Sequence, residues 1–256
     1  MRIMTMAAAL LLLPLPLSAQ DKAAPKQGDA KTEYQALADD FDQTMQKWRQ
    51  EAQQQAAEAE KNGGRVPPAP ALEPLVKDLI SRAQGLAEKY KGKDDAVQFL
   101  VFVTVNASGD NQVRKAFTTL LADHVKSPQL AGFVQNLPRT AHRAGADPVA
   151  VLGKILDKNK SKPVLAVALL TRGQLRLENA SSDAERAIVK KDLEQVATLE
   201  APAEVKQQAA SALFQLEHLG IGCAAPEIEG KDMDGTAFKL SDYRGKVVLL
   251  DFWGFW

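Results

Sequence analysis

The sequence predicts a mainly α protein: a helical, solenoid-like domain followed by a short C-terminal stretch with β character. Three observations carry this. Apolar residues recur at spacings of three and four from Tyr34 to Leu219. Glycine, proline and cap-forming side chains punctuate that pattern at short intervals. Beyond Gly220 the helical period gives way to turn residues and short apolar runs.

The chain has 256 residues, 45% hydrophobic and 25% charged, enough for a packed core in one or two domains. Its 32 basic residues balance 32 acidic ones, so net charge gives no reason to expect nucleic acid or an anionic membrane surface as a partner. Residues 1–20, "MRIMTMAAALLLLPLPLSAQ", place Arg2 before an apolar run from Met6 to Leu17, then the small residues Ser18 and Ala19. That order predicts a secretory signal peptide cleaved near Ala19 or Gln20. Broken by Pro14 and Pro16, the run is too short for the roughly 20 residues that span a bilayer. No cysteine follows it closely, so a lipid anchor on cysteine is not expected. The expected location is exported, periplasmic or extracellular, where the single cysteine, Cys223, has no internal disulfide partner.

Residues 21–74 read as a small, charged lead-in, one amphipathic helix and a linker. Tyr34, Leu37, Phe41, Met45 and Trp48 form the helix stripe, continued more weakly by Ala52, Ala56 and Ala59. Its polar far half is expected to extend from the body or pack lightly. From Asn62 to Pro74 two glycines and four prolines end the helix.

Residues 75–219 read as a helical domain. Leu75, Leu79, Ile80, Ala83, Leu86 and Tyr90 make one amphipathic row; Val113, Ala116, Phe117, Leu120 and Leu121 make another. Asp147 is placed to cap a helix whose first residue is Pro148, where the missing N–H costs nothing. Ser182, three residues before Glu185, predicts a capping box. Short connections containing Gly109, Pro128, Pro138, Pro163 and Pro202 predict antiparallel neighbouring helices. Val97–Val105 is apolar on nearly every side, and periodicity alone does not separate a buried strand from a buried helix. Its helical neighbours favour a central buried helix. Helix starts recur loosely, without a known repeat consensus.

Residues 220–256 change grammar. Gly220 fits a position just past a helix end. Asp234-Gly235 predicts a hairpin between strands near Ile228 and Phe238. "VVLLDFW" reads as a central strand of a sheet covered on both faces.

The run from Ala225 to Trp256 resembles the opening of thioredoxin-like domains of the TlpA and ResA type, exported thiol-disulfide oxidoreductases. The resemblance rests on Ala225-Pro226, Asp234-Gly235, Leu240 to Asp242 with Gly245-Lys246, the apolar strand, and Phe252-Trp253 with Trp256. It spans about the last eighth of the chain. It implies that residues 220–256 are the N-terminal fragment of a thioredoxin-like α/β domain, cut just before a C-x-x-C motif. Roughly another hundred residues would complete such a domain. In the family pattern the first thiol lies at a helix N-terminus, whose partial positive charge favours thiolate, and the second resolves the mixed disulfide. Phe252, Trp253 and Trp256 would flank that site; for Trp253, simple core packing is the competing reading. The implied partners are protein or small-molecule disulfides and thiols and a membrane-side redox donor, with no cofactor. Peroxiredoxins share the "AP", "DG" and "LSDYRGK" elements but usually continue into F-x-P, so the tryptophans favour the TlpA-like alternative.

Cys223 reads as a small apolar connector residue or as an additional thiol able to form a mixed disulfide; the adjacent sequence offers it no strong activating charge. His124, His142 and His218 show no metal-binding spacing, although His218 is placed to meet the last carbonyls of its helix. No phosphate-binding or nucleophile-elbow motif occurs. With one thiol the chain is expected to be inactive as a dithiol reductase. The alternative reading is a helical interaction or scaffold protein with a degenerate thioredoxin-like portion.

Overall fold

A computed structural model describes residues 29–220, 223–251 and 254. The expected signal peptide at residues 1–20 lies outside the described residues. The protein is mainly helical, with a small two-stranded sheet near its C-terminus. The helices are α1 (Ala30–Lys61), α2 (Glu73–Lys89), α3 (Ala96–Asn106), α4 (Asp110–Asp123) and α5 (Ala131–Ala144). They continue as α6 (Pro148–Lys158), α7 (Lys162–Leu177), α8 (Asp183–Thr198) and α9 (Ala203–His218). Strands β1 (Glu229–Lys231) and β2 (Ala237–Lys239) follow, then one 3₁₀ turn at Leu240–Tyr243.

Each helix packs on the next, as short connections require. In addition α3 touches α5, α5 touches α7 and α7 touches α9. The odd-numbered helices from α3 onward therefore form a continuous row, with α4, α6 and α8 packed against it. This is the layout of a layered helical array.

The segment Val97–Val105 is helical, and its all-round hydrophobicity has a positional cause. Val97 belongs to the core that runs from α4 to α9, whereas Phe99, Phe102 and Val103 belong to the core shared by α1 to α4. α3 sits between two cores and needs no polar face. Tyr90 stacks on Phe99 at 5.7 Å, and Phe41 meets Phe102 edge-on at 5.4 Å.

α1 joins the second core through its first half. Leu37 is fully buried, and Asp29 caps the helix by accepting from the Thr32 N–H at 2.8 Å. The far half is mostly exposed, but the linker folds back on it: Trp48 Nε1 donates to the Pro70 carbonyl at 2.8 Å.

Local signals elsewhere hold. Asp147 accepts from Val149 and Ala150, with Pro148 at the helix start. Ser182 and Glu185 form the reciprocal capping box. Two prolines differ from expectation. Pro163 lies in the first turn of α7, where it removes no helical hydrogen bond. Pro138 lies inside α5 rather than in a connection. An interior proline costs about 3 kcal/mol. Full burial of Phe133, Val134 and Leu137 returns about 1.5–3 kcal/mol each, so the helix continues through it.

Val247–Leu250 is also corrected: it carries no strand pairing, and its side chains are exposed. The described sheet ends at β2, so no neighbouring strand offers the ladder that a central strand requires.

Candidate functional site

The hairpin after α9 is built as its turn residues demand. Glu229 pairs with Lys239 and Lys231 with Ala237. Between the strands, the Asp232 carboxylate accepts from the N–H groups of Asp234 and Thr236 at 3.0 and 2.8 Å. Gly235 adopts φ 84°, a left-handed conformation that favours glycine. Gly230 lies against the Phe238 ring, where a Cβ would stand 3.0 Å from Cζ.

The "LSDYRG" segment is held by charge-assisted caps. Glu227 accepts from the Ser241 N–H at 2.9 Å; the Ser241 hydroxyl first, and then this N–H, hold its pKa below the ordinary carboxylate value, while Asp242 accepts from the Lys239 N–H at 2.9 Å. Gly245, at φ 82°, then turns the chain into Val247. Hairpin and glycine turn thus follow one another in the order read from the sequence, with a 3₁₀ turn between them and the apolar run, unpaired, after them. Phe252, Trp253 and Trp256, the expected flank of a redox site, lie outside the described residues.

Cys223 stands at the base of this module, half-buried. Arg186 Nη2 of α8 lies 4.0 Å from Cys223 Sγ. The same nitrogen donates to the Leu216 carbonyl near the end of α9. Arg186 thereby takes the capping role expected of His218, whose ring instead lies 4.8 Å from that of Phe214. Arg186 and Cys223 are 37 positions apart, so only the packing of α8 on α9 brings them together. A single thiol beside a guanidinium can form one mixed disulfide; it cannot complete a two-thiol exchange alone.

The remaining expected residues stay apart. Among the described residues no cluster of three or more His, Cys, Asp or Glu is arranged to hold a metal. No described helix is long and apolar enough to cross a membrane. A concavity of about 720 Å³ lies between α7 and α9 with Pro138 at its edge. Sequence periodicity did not reveal it, because it depends on which helices stack in the odd-numbered row.

Part of this chain is similar to thiol-disulfide oxidoreductases. Over 38 residues it is 45% identical to the thiol-disulfide oxidoreductase ResA of Geobacillus thermodenitrificans and 47% identical to ResA of Geobacillus kaustophilus. Each similarity covers 15% of this chain and 22% of the relative. The chain thus spans about a fifth of the length of the curated relatives it matches. No family model matches the chain, and no solved structure matches it. A likeness of 38 residues leaves most of the chain outside the similarity.

Proposed function

We propose that the protein is an exported thiol-disulfide oxidoreductase of the thioredoxin-like, TlpA type, with an N-terminal helical domain that positions redox partners. The observation that carries this is the 38-residue similarity to ResA. The ordered succession of hairpin, capped 3₁₀ turn and Gly245 turn supports it, since these elements lead into the apolar run in the family's order. Export rests on the signal-like residues 1–20, and a periplasmic or extracellular setting suits disulfide chemistry. The reactive pair in this reading is a C-x-x-C directly after Trp256, with Phe252, Trp253 and Trp256 beside it. Its substrates are disulfides or thiols of proteins or small molecules, with a membrane-side donor completing the electron path.

A helical scaffold role is the second reading. The presence of only one cysteine, Cys223, favours it for residues 1–256 taken alone.

Reduction of insulin by dithiothreitol separates the two. The product of the natural reading frame is expected to accelerate insulin reduction, and the 256-residue chain to leave it at the buffer rate. A natural product that also stays at the buffer rate defeats the oxidoreductase reading. Turnover by the 256-residue chain that Cys223→Ser abolishes defeats the assignment of the reactive pair.

A further inference from the structure

We infer that the groove between α7 and α9 binds an extended, basic polypeptide segment. The inference goes beyond the redox reading and stands if that reading fails, because the helical body alone carries it.

The groove follows from the odd-numbered row of helices. α7 presents Thr171 and Gln174 toward it, and its C-cap residue Glu178 continues the same row at a spacing of four. α9 answers with Glu204, Gln208, Ser211 and Gln215, again at spacings of four and three, and Gln207 lies beside them. From Glu204 to Gln215 the α9 row rises about 16 Å along the helix. At the rise of an extended chain this accommodates about five residues.

The chemistry of the lining selects the ligand. Its four glutamines each present a donor and an acceptor, the complement of a peptide group's C=O and N–H. None of these glutamine side chains, nor the carboxylates of Glu178 and Glu204, makes a hydrogen bond or ion pair with another group of the described protein. Their polar capacity is thus left for solvent or a ligand. No lysine or arginine lines the groove among the described residues, whereas two glutamates do. That charge opposes phosphate-bearing ligands and anionic lipid, and it favours a lysine or arginine side chain. Leu175, Leu177 and Ala212 add modest apolar contact, so the surface is not a greasy slot for a buried helix.

Fluorescence anisotropy of the 256-residue chain tests this with two short fluorescein-labelled peptides, one of alternating Ser and Lys and one of alternating Ser and Glu. The Ser-Lys peptide is expected to bind and the Ser-Glu peptide not to. Glu178→Lys with Glu204→Lys should weaken binding at least about tenfold, because repulsion replaces attraction in the groove. The charge-matched control Glu58→Lys with Glu60→Lys, on the exposed end of α1, should change it less than about twofold through screened long-range charge. Gln208→Ala with Gln215→Ala should weaken it several-fold while leaving charge unchanged. Unlabelled Ser-Lys peptide should displace the probe, and spermine, which has the charge without peptide groups, should not at equal charge concentration. Three results overturn the inference: no binding of the Ser-Lys probe at millimolar protein, equal loss in the groove and control variants, or equal displacement by spermine.

Discussion

Asp192 of α8, almost fully buried, accepts hydrogen bonds of 2.7 Å on both carboxylate oxygens from Arg172 of α7. The fork geometry is bidentate, and Arg176 adds a longer contact at 3.4 Å. Gly173 lets the two helices close at this point: a Cβ there would stand 2.7 Å from Leu193 Cδ2. Removing one partner leaves a buried charge without compensation. Arg172→Ala is therefore expected to cost about 3 kcal/mol, the low end for a buried pair, since Arg172 is one-fifth exposed and Arg176 remains. Replacing both partners together by apolar side chains, Arg172→Met with Asp192→Leu, should change stability by no more than about 1 kcal/mol. Urea unfolding followed by circular dichroism measures both.

The capping box of α8 predicts a pH dependence. Glu185 accepts from the backbone N–H of Ser182 and Ser181 and from both hydroxyls, and these bonds hold its carboxyl below the ordinary value, the Ser182 backbone bond contributing most. A depressed folded-state pKa stabilises the protein fully above the unfolded-state pKa. That stabilisation is lost as pH falls through the folded-state value. Glu185→Ala should therefore be less stable than the parent at neutral pH, with the gap narrowing in acid. Thermal melts from neutral pH down through the carboxylate range check this, and a gap independent of pH contradicts it.

The docking of α1 rests on Leu37, which is fully buried among residues of α2 and α3. Leu37→Ala is expected to cost about 3 kcal/mol through lost burial and the cavity left behind. A chain of residues 75–219 should keep a helical spectrum but melt below one of residues 29–219, because Ile80, Ala83 and Phe99 lose their cover. Equal melting temperatures would show that α1 contributes nothing to the core.

The exposed run Val247–Leu250 predicts self-association. Val247 and Leu249 are fully or almost fully exposed, and Asp251 is the one charge directly after them. The 256-residue chain should self-associate in light scattering, and deletion from Lys246 to Trp256 should yield a monomer. Equally monodisperse monomers of both forms would show that the run is satisfied within the chain.

What the sequence disclosed was mainly local. Asp147, Pro148, Ser182 and Glu185 mark helix starts because caps act over three or four residues. The Asp234-Gly235 turn was legible for the same reason. Features set by tertiary packing were not. Pro138 stays helical because Phe133 and Leu137 are buried by other helices. Arg186 reaches Cys223 across 37 positions, and the glutamine-lined groove exists only once α7 lies beside α9.

The coding DNA immediately downstream of the Trp256 codon gives the most direct test of the oxidoreductase account. Cysteine codons at the first and fourth following positions are the predicted result. An immediate stop codon, or other residues at those two positions, would contradict it.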